Sequence, residues 1–232
     1  MNQDKDIQLD QKFFNNIYVN LLERYGHQNW WPGDSIFEIM VGAILTQNTQ
    51  WFNVEKAINS LKAEQLLEPR KMFLTTESRI ATLIVQAGYY NIKAKRLKSL
   101  VDFLMTKKLD FYQMKQQPVD SLREEFLEIN GIGPETADSI LLYALGKKTF
   151  VVDAYTRRLF SRLNPQWDWM KRITYDELKL FFEQRLFEDV QFYNELHALI
   201  VVHSKDICKS KPQCEECVLK DICAQSPKSM VC

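Results

Sequence analysis

Apolar positions recur along the chain with helical spacing. Phe13 and Phe14, Ile17 and Tyr18, Leu21 and Leu22 advance in steps of four. Leu97, Leu100, Val101 and Leu104 follow the i, i+3, i+4, i+7 series, and Ala137, Ile140, Leu141, Ala144 and Leu145 do the same. Leu178, Phe181, Phe182 and Leu186 form another stripe; Leu196, Leu199 and Ile200 form a last one, which His203 continues as a packed residue. No alternating series punctuated by turn residues suggests strands, so the pattern predicts an all-α protein. One stretch departs from amphipathicity. Ile36 to Leu45, IFEIMVGAIL, is apolar almost all round apart from Glu38, which predicts a helix buried inside a bundle.

Polar punctuation frames that helix. Before it, WWPGDS breaks the chain at Pro32 and Gly33 and offers Asp34 or Ser35 as a cap. After it, TQNTQW presents Gln47 and Asn48 from a rigid support, although such an end taken alone reads as a cap and turn. Adjacent tryptophans are ordinarily packing residues; they can also offer a ring face to a base. Further on, Leu122, Phe126 and Ile129 close one amphipathic helix, Asn130-Gly131-Ile132-Gly133 turns, and Pro134 opens the next helix at its first position. Two glycines let a ligand come close to the backbone, and the amides at the helix start favour a phosphate oxygen. The turn lacks the Lys and Ser/Thr of a nucleotide-binding loop.

Composition narrows the class. The 232 residues are 46% hydrophobic and 26% charged, which suits one or two globular domains. No apolar run reaches the roughly 20 residues of a membrane span, and MNQDKDIQLDQK lacks a signal-peptide core, so the expected compartment is the cytosol. Net charge is zero, so any polyanion surface must be local. Lys93, Lys95, Arg96 and Lys98 form one basic cluster, and Lys147, Lys148, Arg157 and Arg158 flank the lone Asp153. That aspartate reads first as the N-cap of a helix over 154–163. Four of the five cysteines follow Cys208-x5-Cys214-x2-Cys217-x5-Cys223, with Cys232 left over. In a chain without secretion signals this spacing suggests a metal site more than disulfides; four thiolates there suit zinc or an iron-sulfur cluster.

The segment INGIGPETADSILLYALGKKTFVVDAYTRRLF resembles the hairpin and following loop, ending in an essential Asp, of the helix-hairpin-helix DNA glycosylase superfamily. GAILTQNT, GYYNIKAKRL and the four cysteines are similar to its endonuclease III branch. WWP, LTQNTQW and GIGPETAD are similar to the endonuclease III-type 3-methyladenine glycosylases within it. The resemblance implies two helical domains: a six-helix barrel over 28–147, and a split domain of 1–27 with 148–232 carrying the cysteine loop at 208–223. Double-stranded DNA with a damaged base would lie in the cleft between them, bound by a monomer associated with the nucleoid. Asp153 would be catalytic. Trp31, Pro32, Trp51 and Glu135 would form the base pocket; Gly131, Ile132 and Gly133 would grip phosphate. Gln47 would enter the duplex, Tyr89 would act as a wedge, and Lys93, with Lys95 and Arg96, would contact phosphates. Cys208, Cys214, Cys217 and Cys223 would bind a [4Fe-4S] cluster in preference to zinc, with a first gap of x5 where endonuclease III has x6.

Bifunctional relatives carry a lysine two residues after the second hairpin glycine; this chain has Glu135. A carboxylate cannot form a Schiff base, so the resemblance implies a monofunctional glycosylase acting on an alkylated purine. The alternatives are a bifunctional enzyme acting on oxidised pyrimidines through another lysine, and a non-catalytic module that binds distorted duplexes.

Overall fold

Ser35 starts a deeply buried helix by accepting a hydrogen bond from the Glu38 amide in its first turn. A computed structural model describes residues 3–187 and 189–226, with side chains from residue 11 onward; Cys232 lies outside the described residues. Every regular element among them is helical: α1 (Gln3–Tyr25), α2 (Ile36–Leu45), α3 (Trp51–Ala63), α4 (Pro69–Leu74), α5 (Glu77–Leu83), α6 (Tyr90–Thr106), α7 (Phe111–Gln116), α8 (Val119–Leu127), α9 (Pro134–Ser139), α10 (Ala154–Leu163), α11 (Tyr175–Glu183) and α12 (Val190–Asp206). The all-α class is therefore the observed one. The chain forms two compact units, Trp31–Lys147, and Met1–Trp30 together with Lys148–Cys232.

In the first unit, Met40, Val41, Ile44 and Leu45 of α2 pack into one core with Val54, Leu61, Leu97, Leu100, Leu104, Phe126 and Leu141. Glu38, the one charged residue of α2, is buried because Lys62 lies 2.7 Å from its Oε1 and the Asp34 amide donates to its Oε2. Burial of a carboxylate is tolerable when it is paired in this way. The apolar series 137–145 does not form a single α-helix. After α9 the chain widens into a π turn over Ile140–Ala144, closed by Leu145 N to Ile140 O. An extra residue per turn changes the direction of the buried side chains beyond it, and π turns of this kind often mark functional sites. Tyr143, on that turn, lies 5.3 Å from the Trp31 ring.

The second unit is held by aromatic packing. Phe14 of α1 sits 5.4 Å from Phe160 of α10 and 5.5 Å from Phe182 of α11, which in turn lies 5.3 Å from Phe150. Offset and edge contacts of this type add about 0.5–1.5 kcal/mol each beyond area burial. They fix the start of α10, where the buried run Phe150, Val151, Val152 delivers Asp153.

Candidate active site

The hairpin is built from α8, a turn and α9. Ile132 is 4% exposed and its amide donates to Ile129 O, which ties the turn to the core. Its side chain thus serves packing, and any grip on a phosphate falls to its glycine neighbours. Gly131 adopts φ +88, and a Cβ there would overlap Arg96 Cγ, so only glycine fits. Gly133 is the N-cap of α9 and faces open space, with no atom within 4 Å of where a Cβ would stand. Pro134 occupies the first position of α9, where its missing N–H leaves no bond unmade.

Gln47 is docked against this turn. Its Nε2 donates to Gly131 O at 3.0 Å and to Thr136 Oγ1 at 2.9 Å, while Arg96 donates to its Oε1. The loop after α2 and the hairpin are thereby joined. Tyr89 precedes α6 in a left-handed conformation, φ +47, and is 68% exposed. A bulky residue held in that region is strained, as expected of a side chain that the fold projects outward.

Lys93 departs from the expectation of a surface phosphate contact. It is 1% exposed, and its ammonium donates to Leu45 O at 2.8 Å, Thr49 Oγ1 at 2.6 Å and Ala87 O at 2.8 Å. Burial, with a smaller contribution from the Arg96 charge, pushes its pKa down to about 8. Lys93 therefore clamps the two loops that carry Gln47 and Tyr89.

Trp31, Pro32 and Trp51 line one cavity of about 160 Å³. The two indoles meet edge to face with centroids 5.5 Å apart, and Gly42 lets Trp31 lie close against α2. Glu38, Glu55, Asn59 and Lys62 also line it, none of them expected there from the sequence. A signal is present, since Trp51, Glu55, Ile58, Asn59 and Lys62 follow one face of α3, but a polar face resembles a solvated one. Lys62 bridges Asp34 and Glu38, and those hydrogen bonds hold its pKa above the ordinary lysine value. Glu135 is not brought into this cavity; it stands exposed in the first turn of α9.

Asp153 is the N-cap of α10, as its position suggests. Its Oδ1 accepts from the Thr156 amide at 2.7 Å and from Thr156 Oγ1 at 2.9 Å. His197 Nε2 of α12 lies 3.7 Å from Oδ2. Burial alone would raise the carboxyl pKa; the His197 imidazole and the two Thr156 donors more than offset it, so Asp153 is held below the ordinary carboxylate value. Nothing in the sequence links His197 to Asp153, because no local pattern connects positions so far apart.

The four-cysteine segment follows α12. Cys208, Cys214, Cys217 and Cys223 line a single cavity of about 50 Å³. Among the described residues, no group of three or more His, Cys, Asp or Glu side chains is gathered to hold one metal ion. Arg158 donates to Cys208 O and Ser204 O, and Arg162 to Cys208 Sγ and to the carbonyls of Lys209 and Ser210, so α10 grips the start of the loop. His203 is fully buried between Tyr25 Oη, 3.0 Å from its Nδ1, and Cys217 Sγ, 3.5 Å from its Nε2. Burial pushes its pKa down to about 4 against the opposing charge of Asp206. No helix among the described residues is long and apolar enough to cross a membrane.

Comparison with known proteins defines the relationship. Residues 41–186 match the HhH-GPD superfamily base excision DNA repair protein family. The chain is 51% identical over 209 residues to a Methanocaldococcus jannaschii protein named as a DNA repair glycosylase, covering 89% of this chain and 94% of that protein. Endonuclease III of Thermotoga maritima is 30% identical over 188 residues, covering 81% of this chain and 82% of that protein. Among solved structures, the H. pylori 3-methyladenine DNA glycosylase bound to 1,N6-ethenoadenine superposes with a TM-score of 0.70 at 30% identity, over 84% of this chain and 97% of that one. Because the family match runs through both the hairpin and Asp153, the chain belongs to the HhH-GPD superfamily of base excision DNA repair proteins, as a DNA glycosylase.

Proposed function

We propose that this glycosylase hydrolytically releases alkylated purines, 3-methyladenine among them, and leaves an abasic site without cutting the strand. The observation that carries the reading is Glu135, exposed two residues after Gly133 where strand-cutting relatives are expected to carry lysine. Its carboxylate has no amine to attack the sugar. The pocket chemistry supports the substrate class. A methylated purine is cationic, stacks well on indole faces such as those of Trp31 and Trp51, and is favoured by a lining in which the carboxylates of Asp34, Glu38 and Glu55 outnumber the ammonium of Lys62. Its glycosidic bond is already weakened, so modest catalytic power suffices. The H. pylori relative, which is solved with a modified adenine, is consistent with this class.

In this scheme the departing base leaves an oxocarbenium-like sugar, and the Asp153 carboxylate stabilises that charge. Gly131 and Gly133 admit a phosphate oxygen to the hairpin backbone, and Gln47 and Tyr89 fill the space that the extruded nucleotide leaves. Double-stranded DNA with a damaged base is thus the partner.

The cysteines fit a [4Fe-4S] cluster. Burial pushes the Cys217 thiol up to about 11, with the other three cysteines adding to the shift, so four thiolates share this cavity only when metal compensates their charge. Such a group, held by Cys208, Cys214, Cys217 and Cys223, would cross-link the ends of the loop. Iron analysis of the purified protein should give about four irons per chain, and zinc in their place would overturn the assignment.

The function is tested by incubating the protein with methylated duplex DNA. Release of 3-methyladenine or 7-methylguanine with intact abasic strands is expected. A covalent adduct after borohydride reduction would overturn the monofunctional reading, and absence of any released methylated purine would overturn the substrate class.

A further inference from the structure

Asp153 is anchored on one side only by its own helix. Both Thr156 donors converge on Oδ1, and a carboxylate fixed at one oxygen can still pivot about its terminal torsion, which is broad and roughly two-fold. The second oxygen faces His197 Nε2 at 3.7 Å. That imidazole is itself held firmly. It is 6% exposed, stands perpendicular to the Phe150 ring with centroids 6.3 Å apart, and lies on α12 between the buried Tyr193 and Val201, one turn to either side. Phe150 in turn belongs to the buried run that delivers Asp153, so the same packing fixes both partners.

We infer that His197 is a positioning residue for base excision, bracing the Asp153 carboxylate at the oxygen that Thr156 does not hold. Stabilising a sugar cation requires a carboxylate that is both charged and aimed, and burial alone would drive this one toward its neutral form. His197 supplies an opposing influence from α12 alongside the Thr156 donors, and Lys205 of the same helix feels the Asp153 charge. Tyr155 of α10 also feels the Asp153 charge. Of these groups only His197 is paired directly with the carboxylate.

The inference rests on Asp153 acting in excision, so the two are measured together, using the full chain and duplex DNA methylated with dimethyl sulfate. Single-turnover rates of base release are compared with affinity for a duplex carrying a tetrahydrofuran abasic analogue and with the melting temperature. His197→Ala should slow release about 10- to 100-fold, the scale expected for a misplaced catalytic group, with affinity and melting temperature close to wild type. His197→Gln, which can still present an N–H to Oδ2, should recover most of that loss. A His197→Ala rate within about threefold of wild type would overturn the inference, as would a rate loss matched by affinity and melting temperature and not restored by glutamine. In either case, release by wild type and its loss in Asp153→Asn would leave the proposed function standing. If wild type releases no base, or Asp153→Asn is fully active, the underlying reading fails and the positioning role fails with it.

Discussion

Asp153 and Lys93 are both nearly buried ionisable residues that carry a functional expectation, yet they are held in opposite ways. The lysine commits all three ammonium donors, two of them to backbone carbonyls and one to Thr49. The aspartate commits one oxygen to the start of its helix and, among the described residues, pairs with His197 at the other. A saturated buried charge holds structure; one with bonding capacity in reserve can act on something else. The difference is invisible from burial alone.

The largest effect is expected at Asp153. Asp153→Asn keeps an N-cap of similar strength, so its melting temperature should hardly move, while excision should fall by about 10²–10³-fold or more, as for loss of a preorganised electrostatic group. A large fall in stability with unchanged excision would reassign Asp153 to the structural class. At Lys93 the opposite outcome is expected. Lys93→Met leaves buried acceptors without donors and should cost about 2 kcal/mol in urea unfolding, while the salt dependence of duplex binding stays the same. A salt slope reduced by about one would restore the phosphate role. Folding lowers the Lys93 pKa from 10.5 to about 8, so between those pH values the unfolded chain keeps a proton that the folded one releases. The stability advantage of wild type over Lys93→Met should therefore widen as pH rises through that window, which urea titrations at several pH values would reveal.

Smaller effects sharpen the contrast on the DNA side. Gly131→Ala forces a methyl into Arg96 at positive φ and should destabilise by about 1 kcal/mol or more, with weakened duplex affinity, measured by urea unfolding and by titration. Tyr89→Gly relieves the left-handed strain but loosens the chain, so stability should change by less than about 1 kcal/mol. Excision of a lesion in a fully paired duplex should fall more than excision of the same lesion in a mismatch, because an unpaired base is easier to extrude.

Much of this is legible in the sequence. Helical periodicity marks the all-α class, and the uninterrupted apolar run marks α2 as buried. The hairpin announces itself through Gly131, Gly133 and Pro134, whose conformational requirements are local. Trp31, Pro32 and Trp51 do line one cavity. Lys93 misleads although its stripe is present: 93, 97, 100, 101 and 104 lie on one face of α6, and its basic neighbours make it look solvated. The π turn after α9 has the same apolar spacing as a regular helix, so spacing cannot reveal it. The pairing of Asp153 with His197 is tertiary, set by how α10 and α12 pack, and no local rule encodes it.

Gln47 carries a consequence of its own. On the proposed role, Gln47 must give up two donated bonds, each worth about 0.5–1.5 kcal/mol net, and the charge-assisted one accepted from Arg96, worth about 1.5–3 kcal/mol, before it can invade a base stack. Such a latch would make probing of sound, well-stacked DNA unfavourable, and discrimination would then begin before any base reaches a pocket.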